Sequence, residues 1–236
     1  MSELEIVYQD EHLAIINKPS GLLVHRSRIA SGAREFAMQM LRNQIGCHVY
    51  PVHRLDRPTS GLLIFALNSD VARVMTEQLT ERKVNKTYHA VVRGYAPVSG
   101  IIDYALKEEL DKLADADADP DKERQPAVTR FTCLKQVELP YKVSKKHETT
   151  RYSLVQLQPE TGRKHQLRRH MAHIRHPIVG DTNHGDGRHN NFFRSHFNCH
   201  RLLLAATGVG FNHPVSGEPM NLEVPLPDEF QQPFIK

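Results

Sequence analysis

The sequence has few cysteines, no tryptophan and no long apolar run. Its three cysteines, Cys47, Cys133 and Cys199, are widely separated and odd in number, and no Cys-x-x-Cys pair suggests zinc or redox chemistry. No apolar stretch approaches the roughly 20 residues that a membrane helix needs, and the N-terminus lacks the basic and apolar regions of a signal peptide. We therefore expect a cytoplasmic protein whose cysteines are reduced structural thiols.

Sequence motifs for common cofactors are also absent. There is no phosphate-binding Gly-rich loop and no dinucleotide fingerprint. Four histidines follow one another at intervals of five, three and three residues: His165, His170, His173 and His176. None of these intervals suits a metallohydrolase helix, and the first and last would lie about 16 Å apart along the axis. The alternating acids Asp115, Asp117 and Asp119 lack the Gly and terminal Glu of a calcium loop. We therefore expect neither a metal nor another cofactor.

The charge is distributed unevenly along the chain. Residues 103–123 hold nine acids and three lysines, so this segment has a net charge of −6. The rest of the chain has a net charge of +10, and the two together give the overall +4. The range 107–125 is Ala/Asp-rich, and we interpret it as a flexible surface insertion. The basic remainder favours a polyanionic partner such as RNA.

Apolar patterning predicts an α+β fold. Strands are expected at 4–8, 13–17, 62–67, 88–93, 151–158, 201–210 and 221–224, and the first two form a hairpin. One helix should begin at Asn68 or Ser69 and end near Lys83, and a second should run from about 164 to 175. Strands that do not alternate strictly with helices favour a mixed, largely antiparallel sheet with flanking helices.

A loop from Val52 to Gly61 combines one acid with several cations. Asp56 lies between Arg54 and Arg57, and His53 is close by. Opposite charges a few ångströms away favour the ionised carboxylate. The Pro-Thr-Ser-Gly turn that follows leads directly into a buried strand, and a rigid strand that holds a charged loop is a common geometry of active sites. A simple Arg-Asp surface turn is the alternative interpretation.

Four segments, in the same order along the chain, resemble motifs of the RluA-type pseudouridine synthases. The Asp56 loop is similar to the segment that carries the catalytic Asp of that family. The other three segments are 17–25, 86–94 and 161–170. The resemblance implies a single catalytic domain over residues 1–236, a bent sheet crossed by a central active-site cleft, and no S4-type RNA-binding domain before the first motif.

The resemblance also implies roles for individual residues. Asp56 would be the nucleophile, Tyr88 would stack on the uracil ring, and Arg168 would pair with Asp56. The residues alone leave open whether the carboxylate attacks C1′ or C6 or removes a proton from C2′. On the second helix, Leu167, Met171 and Ile174 should face the core, which places Arg168 on the flank of the apolar stripe and the histidines opposite it. The expected RNA-binding residues are Arg54, Arg57, Arg163, Lys164, Arg169 and Arg175.

Two other functional classes compete with an RNA isomerase. A non-catalytic RNA-binding module would explain the basic helix, but repulsion from Asp56 would weaken its hold on phosphates. A nucleosidase would also use a carboxylate near a ribose.

The substrate is indicated by a narrower likeness within the family, at residues 8–11, 25–27 and 163–170. This likeness favours tRNA, modified at uridine-65 in its T-arm stem, and ribosomal RNA is the alternative. No pattern suggests an obligate interface, so we expect a monomer.

Overall fold

The computed structural model describes residues 3–26, 35–109 and 123–235. In these ranges the chain forms ten strands and four α-helices. The strands are β1 (Glu5–Gln9), β2 (Leu13–Lys18), β3 (Tyr50–Pro51), β4 (Ser60–Ala66), β5 (Asn85–Arg93), β6 (Ser99–Asp103), β7 (Val128–Leu139), β8 (Thr150–Pro159), β9 (Leu204–Asn212) and β10 (Pro219–Glu223). The helices are α1 (Ala37–Ile45), α2 (Ser69–Thr80), α3 (Gln166–His173) and α4 (Gly187–Phe197).

Seven strand pairs are antiparallel: β1–β2, β2–β4, β3–β4, β5–β8, β6–β7, β7–β8 and β9–β10. The predicted α+β class with a largely antiparallel sheet is therefore confirmed. Two of the four helices, α2 and α3, were predicted, whereas α1 and α4 were missed. Most of the acidic insertion predicted at 107–125 lies outside the described residues. No helix in the described part of the chain is long and apolar enough to cross a membrane.

The chain divides into two compact units, and the predicted single catalytic domain stays a prediction. Unit 1 comprises Met1–Lys86, Lys107–Glu123 and Gly208–Val224. Unit 2 comprises Thr87–Leu106, Arg124–Thr207 and Pro225–Lys236.

In unit 1 the central strand is β4, whose seven residues are all buried, as its continuous apolar sequence predicts. It pairs with β2, and α2 packs Val71 and Met75 into the same core. The predicted N-cap of α2 is confirmed, because the Asn68 side chain accepts a hydrogen bond from the backbone N–H of Val71. The helix ends at Thr80, three residues before the predicted end.

In unit 2 the residues of β5 alternate between two apolar cores. Ala90 and Val92 pack into one core with Leu167 and Met171 of α3. Val91 packs into the other core with Phe193 of α4. Because successive side chains of a strand point to opposite faces, β5 joins α3 and α4 to opposite sides of this part of the sheet.

The turn of the β1–β2 hairpin gives a prediction of acid sensitivity. Burial acts to raise the pKa of Asp10, but hydrogen bonds from Tyr8, from the backbone N–H groups of His12 and Leu13, and from His213 outweigh it and lower the pKa to about 2. A carboxylate with a depressed pKa stabilises the fold above its unfolded pKa of about 3.9, and this contribution is lost as the pH falls toward 2. We expect Asp10→Asn to lower the free energy of unfolding by about 1–2 kcal/mol at pH 7.

Denaturant unfolding of both proteins at several pH values would measure this difference. It should shrink between about pH 4 and pH 2, where the wild-type carboxylate takes up its proton. A difference that is the same at pH 2 and pH 7 would contradict the assignment.

Candidate active site

The Asp56 loop of unit 1 is attached to β4 by His53. The His53 side chain is partly buried, and its Nε2 accepts a hydrogen bond of 3.2 Å from the backbone N–H of Ile64. Burial, together with the positive charge of Lys86, lowers the pKa of His53 to about 4. The ring is therefore neutral at pH 7. The sequence-based expectation that His53 is one of the cations around Asp56 is therefore wrong, because an imidazole with so low a pKa carries no charge at neutral pH.

The other end of the loop is held by a buried lysine. Lys18 has no exposed surface. Its ammonium group donates to the carbonyl oxygens of Pro19 at 2.9 Å, Leu22 at 2.8 Å and Arg57 at 3.3 Å. These bonds to carbonyl oxygens offset part of the cost of burying the charge of Lys18. Lys18 therefore joins the first motif segment to the residue that follows Asp56.

Residues 20 and 21 make further bonds to the same loop. The backbone N–H of Gly21 donates to the Arg57 carbonyl at 2.8 Å, and the Ser20 hydroxyl donates to the Pro58 carbonyl at 2.7 Å. Gly21 has φ +87°, a conformation that favours glycine. In return, Arg57 Nε donates to the Gly21 carbonyl at 3.0 Å. Arg57 is thus part of the loop's scaffold as well as an exposed cation.

Asp56 itself is half-buried, and its carbonyl accepts from the N–H of Thr59 at 3.0 Å, which closes a turn over residues 56–59. The turn predicted at 58–61 is therefore displaced, because β4 already begins at Ser60. Leu55 is buried and Arg54 is exposed. The buried Leu55 side chain therefore holds the backbone immediately before Asp56. The backbone that carries Asp56 is therefore fixed by the neighbouring residues, as a preorganised functional side chain requires.

Replacement of Lys18 should affect both stability and the loop. Lys18→Met removes the donor of three hydrogen bonds to carbonyl oxygens at a fully buried position, so we expect a loss of about 2–4 kcal/mol in the free energy of unfolding. It should also lower the kcat of the chemistry proposed below by about 100-fold, because a displacement of 1 Å can have that effect. Calorimetry and single-turnover kinetics would measure the two effects. Lys83→Met, at an exposed lysine, should change neither.

Tyr88 lies in unit 2, on β5, opposite Leu157 of β8. It is half-buried and packs against the apolar core that contains Ala90, Leu167 and Met171. Apolar side chains therefore support part of the Tyr88 ring.

Arg168 is buried in α3 and not at the rim of a half-buried surface. Its Nε donates to Asp181 Oδ2 at 2.7 Å, and its Nη2 donates to Asp181 Oδ1 at 2.8 Å. The side chains of Arg168 and Asp181 are only 5% and 1% exposed. Asp181 was missed in the sequence. The available signal was its position as the first acid after Glu160 in a strongly basic stretch.

The predicted RNA-binding residues of α3 and its flanks differ in exposure. Arg163, Lys164 and Arg175 are exposed and Arg169 is half-buried. Arg163 Nε also donates to the Pro126 carbonyl at 3.2 Å. Arg175 has φ +65°, so it ends the helical segment in the left-handed region.

The histidines of this segment do not share one solvent-facing side, so that expectation is wrong. His170 has no exposed surface, and its ring nitrogens lie 2.9 Å from Thr129 Oγ1 and 3.0 Å from the Tyr104 carbonyl. Burial lowers the pKa of His170, so the ring is neutral. His173 is exposed and stacks on Tyr104 at 3.7 Å between ring centroids. His165 Nδ1 lies 3.3 Å from His184 Nε2, so these two rings direct two potential ligand nitrogens toward each other.

The sequence profile described as RNA pseudouridylate synthase matches residues 12–173. The chain belongs to the RNA pseudouridylate synthase family, and the predicted RluA-type family and isomerase class are confirmed.

The relatives agree with the family match. The chain is 56% identical to "tRNA pseudouridine synthase C" of Vibrio parahaemolyticus over 99% of this chain and 95% of that protein. It is 58% identical to "tRNA pseudouridine synthase C" of Yersinia pestis over 93% of this chain and 85% of that protein. The solved structure of "Human RNA Pseudouridylate Synthase Domain Containing 4" is 25% identical with a TM-score of 0.72, covering 97% of this chain and 92% of that chain.

Proposed function

We propose that this protein isomerises a uridine in tRNA to pseudouridine, and that the uridine is uridine-65 in the T-arm stem. The observation that carries the proposal is the near full-length similarity, above 50% identity, to proteins named tRNA pseudouridine synthase C. The enzyme would meet its tRNA in the cytoplasm and act as a monomer.

The reaction breaks the bond between N1 and C1′ and forms a bond between C5 and C1′. C5 loses its hydrogen to solvent as a proton, and N1 gains a proton, so no oxidant or reductant is consumed. The uridine therefore exchanges only protons with water, and its other atoms are all retained in the product. No cofactor is therefore part of the proposal.

Asp56 is the proposed nucleophile or base of this reaction. What supports the role is its place in the matched motif and the rigid backbone on each side of it, built by His53 and Lys18. A carboxylate fixed in this way needs little reorganisation when it attacks C1′ or C6 or removes a proton from C2′. All three steps use the ionised carboxylate, and they are alternatives within the proposal.

Tyr88 and Arg168 are the other proposed site residues. Tyr88 would stack on the uracil ring, and its apolar support on β5 suits a flat aromatic surface that does not rotate. Arg168 would pair with Asp56 to keep it charged and oriented. Asp181 holds Nε and Nη2 of Arg168, and a guanidinium group has five N–H donors, so it can serve a second carboxylate as well.

The proposed RNA contacts come from exposed cations. Arg54, Arg57, Arg163, Lys164 and Arg175 are exposed, and Arg169 is half-buried. Such groups bind phosphates, which position an RNA without reading its sequence. A uridine in a stem must leave the base stack before it can react, and Arg54, two residues before Asp56, is the proposed contact for that displaced nucleotide.

Release of tritium from RNA that contains 5-tritiated uridine tests the proposed reaction. We expect tritium to enter water from a tRNA transcript, with no free uracil, and far less to be released from ribosomal RNA transcripts. Free uracil would instead indicate a nucleosidase. Tight tRNA binding without release of either product would favour the non-catalytic binding module and would overturn the proposal.

A further inference from the structure

Arg168 and Asp181 form a buried ion pair. Both side chains are almost completely buried, and two parallel hydrogen bonds of 2.7 and 2.8 Å join them. Paired bonds fix the plane of a guanidinium group as well as its position. A long flexible arginine would otherwise sample several rotamers.

Asp181 is itself held by the backbone around it. Its Oδ1 accepts from the N–H groups of Asn183 and His184, each at 2.9 Å. Its own carbonyl accepts from Asn190 Nδ2 at 2.7 Å, and Asn190 Oδ1 accepts from the Gly180 N–H at 2.7 Å. Oδ1 and the backbone at Asp181 are therefore held by contacts that do not involve Arg168.

The chain before Asp181 passes close to the backbone at Arg201, so only glycine fits at position 180. Gly180 has φ +81°, and a Cβ atom there would lie 2.0 Å from the Arg201 carbonyl oxygen. Burial acts to raise the pKa of Asp181, but the hydrogen bonds from Arg168 and from the backbone N–H groups outweigh burial and lower the pKa. The carboxylate is thus anionic, and its turn is rigid.

We infer that Asp181 is a positioning residue, which acts on the reaction through Arg168 by fixing one edge of its guanidinium group. The bonds to Asp181 use Nε and one hydrogen of Nη2, so the direction of the remaining N–H donors is set by Asp181. This inference rests on the proposed function, in which Arg168 orients the Asp56 carboxylate. A purely structural ion pair is the rival explanation, and it predicts lower stability with unchanged chemistry.

A pair of matched substitutions separates the two explanations. Asp181→Asn keeps the size of the side chain but replaces one acceptor by a donor, and we expect kcat to fall about 30- to 100-fold with KM within about threefold. The control is Asp186→Asn, because Asp186 is also an N–H-bonded aspartate of unit 2, paired with Arg93 at 2.6 Å. It should lose stability but keep its kcat. Circular dichroism would verify that each variant is folded.

A double substitution tests whether Asp181 acts through Arg168. If it does, Arg168→Ala with Asp181→Asn should be no slower than Arg168→Ala alone. Millimolar guanidinium should partly restore turnover in Arg168→Ala and should not do so in the double variant, because Asp181 would form the binding position for the added ion. The inference would be overturned if the losses of kcat from the two substitutions multiplied in the double variant. It would also be overturned if guanidinium restored turnover equally in Arg168→Ala and in the double variant.

A second single variant covers the case in which Asp181→Asn does not fold. Asp181→Glu keeps the charge and the ion pair but moves the carboxylate by about one methylene, so kcat should still fall at least about 10-fold. Full activity in Asp181→Glu would contradict a positioning role. The inference and the proposed function fail separately. An Asp56→Ala variant that remains active overturns the proposed function, whereas a slow Arg168→Ala beside a fully active, folded Asp181→Asn overturns only the inference.

Discussion

Asp56→Asn should abolish pseudouridine formation, with kcat lowered by at least about 10⁴-fold, while tRNA affinity changes by less than about threefold. The amide has nearly the shape of the carboxylate, so the loop held by His53 and Lys18 should keep its conformation. It has no negative charge, however, and can neither attack carbon nor accept a proton at neutral pH. Removal of an anion from a basic surface does not weaken phosphate binding.

Single-turnover kinetics and a filter-binding titration at fixed salt would measure the two quantities on the same preparation. Asp70→Asn is the matched control, because Asp70 is an exposed aspartate in the first turn of α2 and should leave both unchanged. Activity of Asp56→Asn close to that of the wild type would show that the carboxylate does not take part in the chemistry.

Arg168→Lys should have the next largest effect. A lysine keeps the positive charge but offers a single ammonium group, so it cannot reproduce the two parallel bonds to Asp181. We expect kcat to fall by about 100- to 1000-fold, since the proposed orientation of Asp56 is lost with the planar group. The free energy of unfolding should fall by about 2–4 kcal/mol, because a buried carboxylate is left partly unpaired.

The stability part of this prediction follows from the described contacts alone, and the kinetic part tests the role of Arg168. Arg130→Lys is the control, because Arg130 is an exposed arginine of β7 that also pairs with a carboxylate, that of Glu160, and it should retain kcat within about threefold. An Arg168→Lys variant that is destabilised yet fully active would assign Arg168 to the scaffold alone.

Local signals predicted the elements whose stability is largely local. Helix α2 has an Asn68 cap and an apolar stripe, and both are present in the structure. Helix α4 has the sequence GRHNNFFRSHF, which contains few strong helix formers. It is instead stabilised by burial of Phe193 and by the Asp186 cap, so tertiary packing decides its conformation. Helix α1 was missed because its N-cap, Phe36, provides no side-chain hydrogen bond.

The site was predicted unevenly for the same reason. The loop around Asp56 is contiguous, so its turn chemistry is legible in the sequence. Arg168 and Asp181 are thirteen residues apart, and a turn after α3 brings them together. The prediction that His170 faces solvent failed for a related reason. Five of the eight residues of α3 are buried, so a pattern that assumes one buried face and one solvated face does not apply.

The measurement that tests the central claim most directly is pseudouridine mapping on unmodified tRNA. The transcript is incubated with wild-type protein or with Asp56→Asn, labelled with carbodiimide and copied by primer extension. We predict a stop at uridine-65 of the T-arm stem with the wild type and none with the variant. A stop that persists in Asp56→Asn, or no stop on tRNA with the wild type, would contradict the account.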